Sequence, residues 1–282
     1  MRLQREITAA VLIPAVLAVL VFAPTWAFSL LVAAAATVAL LEFYALLSAA
    51  GWDVPRAAGV VLFLGLLAAA HLGHSRAVVA FAGATVVVLP ALVMFAKPPV
   101  AALLPSSAGA VFATLYVALG GGAIIGLRAA GWENVLFLLA VVWAGDSAAY
   151  YAGRRWGKRR LAPTVSPKKT WEGFYGQLGG GAVFGALGGF FLASLPRSAP
   201  AVPDSGPQVA QALALGALLG ILISIVAVVG DLVESTFKRS VAVKDSGGLL
   251  PGHGGLLDRL DSLLYASPVL LLVLTLFPGG RR

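Results

Sequence analysis

The sequence predicts an all-α, polytopic integral membrane bundle of about nine transmembrane helices, and three observations carry that prediction. Hydrophobic residues make up 60% of the 282 positions and charged residues only 11%, against about a quarter charged in a typical soluble domain. Nine stretches approach the roughly 20 apolar residues that cross a bilayer core, with charged or helix-breaking residues between them. Basic residues are unevenly shared among the connecting segments. With the amino terminus in the cytoplasm, 15 fall inside and 5 outside, as the positive-inside rule requires.

Taken in order, the expected spans lie near 7–23, 26–47, 56–73, 77–96, 108–127, 134–152, 174–195, 208–230 and 261–278. The opening MRLQRE and the apolar run behind it have the outline of a signal peptide. A second span follows after only Ala23, Pro24 and Thr25, which favours a retained first helix. The segment at 101–127 has room for a re-entrant piece. Residues 1–130 form an amino-terminal membrane region in which Glu42, His71 and His74 are the sparse polar marks, read as span ends or satisfied interior groups. Residues 131–282 form the region expected to carry chemistry, with polar loops at 153–173 and 231–260 on the same, cytoplasmic side. Small residues at four-residue spacing, Gly181, Gly185 and Gly189, then Gly216 and Gly220, let helix backbones approach closely. Packing within the bundle is the first reading of that pattern, a subunit interface the second. The stretch at 198–208 reads as a short outer loop.

Composition also limits function. Cysteine is absent, which excludes disulfides and thiolate metal sites. The net charge of +8 fits basic flanks facing anionic headgroups, so membrane lipids rather than nucleic acid are the expected partners.

The densest chemistry lies in GDLVESTFKRSVAVKDSGGLLPGHGGLLDRLD, residues 230–261. Asp231 and Glu234 follow the eighth span, and Asp258 and Asp261 open the ninth. Positions i and i+3 share a helix face, so Asp258 and Asp261 can point at one site, with Asp231 converging from the neighbouring helix end. Clustered carboxylates repel unless a cation joins them. With oxygen ligands and no cysteine, Mg²⁺ or Mn²⁺ fits best. A membrane-interface cluster neutralised by Lys238, Arg239 and Arg259 is the competing reading. Gly247, Gly248, Gly252, Gly254 and Gly255 leave the backbone open to approach, and amides freed in this way before a helix start form an anion cradle. Metal plus phosphate is therefore the expectation for this loop.

The loop at 143–173 adds matching chemistry. Asp146 lies inside the sixth span, where an ionisable residue is a functional candidate by default, with a helix-packing hydrogen bond as its competitor. Arg154, Arg155, Lys158, Arg159 and Arg160 read as a headgroup-facing patch. Ser166, Pro167, Lys168, Lys169 and Thr170 sit just before the seventh helix, where hydroxyls, ammonium groups and a helix amino terminus can face phosphate oxygens. The glycines of a Walker A loop are missing.

The run from Ser235, Phe237, Lys238 and Arg239 through Lys244, Asp245, Gly247, Leu250, Pro251, His253, Gly254, Gly255, Leu256, Asp258, Arg259, Leu260 and Asp261 resembles the signature of the phosphatidate cytidylyltransferases (CDP-diacylglycerol synthases). The match covers 27 residues without a departure at a fixed position; SPKKTWEG and the Asp146 segment are similar to family motifs as well. The resemblance implies an inner-membrane enzyme that makes CDP-diacylglycerol and pyrophosphate from CTP and phosphatidic acid in phospholipid biosynthesis. It also implies divalent-metal dependence, a cytoplasm-facing active site and a homodimer. By the motif, Asp231 and Asp258 are the metal-binding pair, while Lys238, Arg239, Lys244 and the Ser166–Thr170 segment contact substrate phosphates.

The mechanism expected on both grounds is in-line attack of the phosphatidate oxygen on the α-phosphorus of CTP. Its second pKa near 6 leaves that oxygen largely ionised at neutral pH, so no strong base is needed. Bringing two polyanions together calls for cations. Asp231 and Asp258, with Asp261 or Asp245 assisting, are expected to hold up to two Mg²⁺ ions. His253 is expected to contact phosphate ahead of acting as an acid. Gly254, Gly255, Arg259 and Asp146 complete the expected substrate-binding set. A transporter is the alternative from another class, but the polar chemistry gathers in loops on one face. The pattern of the CDP-alcohol phosphatidyltransferases is absent.

Overall fold

The computed structural model describes residues 13–194, 206–243, 246–247 and 254–277. Its helices are α1 (Ile13–Phe22), α2 (Thr25–Ala49), α3 (Arg56–His71), α4 (Ser75–Phe95), α5 (Val100–Ala130), α6 (Trp132–Trp156), α7 (Trp171–Ala193), α8 (Gly206–Ser240) and α9 (Leu257–Leu276). A two-stranded antiparallel hairpin, β1 (Arg160–Ala162) and β2 (Ser166–Thr170), joins α6 to α7. Among the described residues, seven helices are long and apolar enough to cross a membrane, while α1 and α3 are shorter apolar helices. The chain is a multi-pass, all-α membrane bundle, as its hydropathy demands. The start of the expected first span and most of the expected 198–208 loop lie outside the described residues.

Three local expectations shift. The 101–127 segment belongs to one continuous helix, α5, which accommodates Pro105. The expected 153–173 loop is largely structured: α6 persists to Trp156 and the hairpin follows, its strands pairing Arg160 with Thr170 and Ala162 with Ser166 across a bulge. Strands this short and charged carry no alternation that hydropathy can show. The expected 231–260 loop begins as helix, because nothing between Gly230 and Ser240 breaks α8. At 1.5 Å per residue its 35 residues span about 52 Å, well beyond a hydrocarbon core of about 30 Å. Its last turns therefore carry Asp231, Glu234 and Lys238 on one helical face, at i, i+3 and i+7.

Two buried clusters hold the bundle. One unites α2, α3, α5 and α9 through Leu40, Phe43, Phe63, Leu67, Val117 and Leu264. The other unites α1, α5, α6, α8 and α9 through Leu20, Leu127, Leu138, Val142, Ile223 and Ala266. Helices α5 and α9 contribute to both. In α7 and α8 the glycine ladders meet, as the first reading had it: a Cβ on Gly185 would stand 2.3 Å from the Gly216 carbonyl oxygen. Where lipid supplies no hydrophobic drive between helices, such close backbone packing and interhelical hydrogen bonds supply the association. Ser267 Oγ donates to the Gly120 carbonyl at 2.9 Å, and Ser29 Oγ meets His71 Nδ1 at 3.0 Å, so His71 is a satisfied interior group.

Candidate active site

The end of α6, the start of α7, the end of α8 and the start of α9 meet at one end of the bundle, beside the hairpin. Close packing of α8 on α9 sets the arrangement. A Cβ on Gly230 would stand 2.9 Å from the Asp261 carbonyl oxygen, which brings the next residue, Asp231, beside Asp261. From β2, Lys169 Nζ reaches Asp231 Oδ2 at 2.6 Å, and Ser235 Oγ donates to Asp231 Oδ1 at 3.3 Å. Asp146 and Asp261 both lie within electrostatic range of Asp231 and Lys169. Gln177 Nε2, on α7, donates to Asp146 Oδ1 at 3.0 Å. A pocket of about 370 Å³ opens alongside, lined by Tyr150, Arg154, Lys168, Lys169, Thr170 and Gln177 among others.

The hairpin and the α7 start are built to hold those lysines. Thr170 is the α7 N-cap, its Oγ1 accepting from Gly173 N at 3.1 Å. Glu172 in the first turn reaches back to accept from Lys158 N at 3.0 Å, which closes the chain entering β1 against the chain leaving β2. Arg239 Nε, at the end of α8, donates to the Val165 carbonyl between the strands at 3.3 Å. Helix α7 thus starts where the sequence places it, with Lys168 exposed on β2 and Lys169 turned toward α8.

A second group lies further along α8. Lys238 Nζ sits 2.6 Å from Glu234 Oε2 and 2.5 Å from Asp258 Oδ1, and these side chains are only 12%, 1% and 11% exposed, respectively. Asp258 Oδ2 accepts from Ser246 N at 3.1 Å and Gly255 N at 2.9 Å. Gly254, at φ +78, supplies the left-handed turn that points the Gly255 amide inward. A carboxylate in the first turn of a helix is drawn to free amides, and Asp258 is held by two of them.

Asp231 stands with Asp261 and Asp146; both oxygens of Asp258 are taken by Lys238 and loop amides. Among the described residues, no three carboxylate or imidazole side chains are arranged to ligate one ion. Ser166 opens β2, and Arg259 is exposed on α9. Lys244, Asp245 and His253 lie outside the described residues. Sequence reasoning left Gln177 and Glu234 unassigned and missed Glu42 as part of this site. Glu42 Oε2 accepts from Leu257 N at 2.8 Å. A lone carboxylate in an apolar helix is the signal that marks it.

The family model described as the cytidylyltransferase family matches residues 3–277. A phosphatidate cytidylyltransferase of Brucella suis is 46% identical over 147 residues, 52% of this chain and 48% of that one. One from Pseudomonas aeruginosa is 42% identical over 135 residues, 48% of this chain and 45% of that one. A third, from Mycobacterium tuberculosis, is 38% identical over 169 residues, 60% of this chain and 46% of that one. The chain spans about half the length of the curated relatives it matches. With the family model matched from near one end of the sequence to near the other, this chain belongs to the cytidylyltransferase family.

Proposed function

We propose that this chain transfers a cytidylyl group from CTP to phosphatidate, releasing pyrophosphate, at the cytoplasmic face of a bacterial inner membrane. The observation that carries the reading is the Lys169–Asp231 pair within range of Asp146 and Asp261, beside a pocket lined by Arg154 and Lys168. One place offers carboxylates for a cation and basic groups for phosphates. It sits where helices leave the bilayer, within reach of both a soluble nucleotide and a lipid headgroup.

Lys168, Lys169 and Arg154 would hold the triphosphate, with the basic charge spread over the hairpin and α6. The Lys169–Asp231 pair is half-exposed, and such pairs are worth about 0–1 kcal/mol, so Lys169 exchanges carboxylate for phosphate at little cost. Lys238 would keep Asp258 and the loop before α9 in place, which fixes the α9 start that presents Asp261. Phosphatidate needs orientation more than deprotonation, because its phosphate is already an anion.

The donor set fits Mg²⁺ or Mn²⁺. Mg²⁺ is commonly held by one or two carboxylates, with substrate phosphates and water completing the shell. Asp231 and Asp261 would supply that pair, with Asp146 as a third anion nearby. When bound, the metal neutralises charge on the triphosphate and on the entering and leaving oxygens. The test is pyrophosphate release by the purified chain in detergent, with phosphatidate and each nucleoside triphosphate in turn, with and without a chelator. Release with CTP that depends on phosphatidate and a divalent cation is expected; equal release without phosphatidate would refute the reading.

A further inference from the structure

Glu42 lies on α2, 215 positions before the amide it binds. Its Oε2 accepts from Leu257 N at 2.8 Å, the first residue of α9, and from Ser246 Oγ at 3.3 Å. Two described glycines lie close against this carboxylate. A Cβ on Gly247 would stand 2.4 Å from Oε1, and one on Gly255 would stand 2.6 Å from Oε2. A side chain at either glycine would therefore have to displace the Glu42 carboxylate, so both serve a purpose distinct from cradling phosphate. Ser246 N and Gly255 N of the same loop donate to Asp258 Oδ2. The described loop amides are thus shared between a carboxylate of its own helix and one from the other end of the chain.

A glycine-rich loop has few side chains with which to anchor itself. A carboxylate on a packed helix replaces them: it meets unpaired amides at a helix start, where negative charge is favoured. Phe43, the next residue, packs on Phe237 of α8 with ring centroids 5.3 Å apart, so α2 is braced against the same helix that carries Asp231 and Lys238. We propose that Glu42 is a positioning residue, which fastens Ser246 and the start of α9 to α2 and so sets Asp261 for the transfer. This rests on the function proposed above.

The test compares wild type, E42Q and E42A in detergent by kcat, KM for CTP, thermal midpoint, and hydrogen exchange of the 246–257 segment. E42A is expected to lower kcat by about 10- to 100-fold, the range seen when groups that orient a site are removed, with a smaller change in KM. E42Q keeps an acceptor for Leu257 N–H and is expected to recover most of the loss. Exchange should quicken at 246–257 in E42A and not in α4. If E42A does not accumulate, G247A takes its place, since its methyl displaces Oε1, and must lower kcat likewise. More than half of wild-type kcat in E42A or G247A, or a loss that E42Q does not relieve, overturns the proposal. An inactive wild type would sink the function above and leave the tether to be judged by exchange, where unchanged rates in E42A would refute it.

Discussion

Lys238 carries one positive charge between two carboxylates almost fully withdrawn from solvent, whereas Lys169 pairs with Asp231 in a setting about a third open. The two lysines should therefore answer mutation differently. Replacing Lys238 with Met removes the cation from between Glu234 and Asp258, and breaking such a buried pair removes about 3–5 kcal/mol of stability, readable as a lower thermal midpoint in detergent. Replacing Lys169 with Ala should change stability by no more than about 1 kcal/mol while reducing turnover by about 100-fold, some 2.7 kcal/mol of barrier. A Lys169→Ala protein with unaltered turnover would remove that lysine from the phosphate site. The sequence made both lysines visible but not this division of labour. Their roles depend on which carboxylate lies opposite, and that is set by the packing of α8 on α9 and of β2 on α8.

At the scale of elements, α7 and α8 pack backbone to backbone because glycine stands at each crossing. Gly185→Leu would drive a side chain into the Gly216 carbonyl, 2.3 Å from its Cβ position, and should lower the thermal midpoint sharply. Gly179→Ala, on the same helix with nothing within 4 Å, should leave it unchanged. Equal effects of the two would mean that the ladder does not hold the helices. This ladder was legible, since a four-residue spacing of small residues has few other uses in lipid. The hairpin was not, because its order comes from the Thr170 cap, the Glu172 carboxylate and Arg239, all side chain to backbone contacts over short strands. The contacts of Asp258 were hidden for a similar reason: i, i+3 spacing gives a shared face but does not show which lysine and loop amides a first-turn carboxylate will meet.

Across the whole molecule, charge bias, helix lengths and the meeting of helix ends describe one orientation. The ends of α6 and α8 and the starts of α7 and α9 share a side with the hairpin, and the proposed function requires that side to face the cytoplasm. The natural absence of cysteine makes this directly testable. A single cysteine at Lys158 should be labelled by an impermeant thiol reagent only from the cytoplasmic side, and one at His74 only from outside; the reverse pattern would invert the bundle. Contacts spanning the full chain, such as Glu42 to Leu257, stayed hidden because α2 looks like any other apolar helix and its single carboxylate has no local partner.

In the proposed function, Asp231 serves the reaction from the point where α8 meets α9. The most direct measurement is phosphatidate-dependent pyrophosphate release from CTP by purified wild-type and Asp231→Asn proteins at matched amounts in detergent. Release by the wild type is expected, with a fall of at least about 100-fold in the variant and no loss of the folded protein. Retention of more than about a tenth of the wild-type rate, less than about 1.4 kcal/mol of barrier, would contradict it.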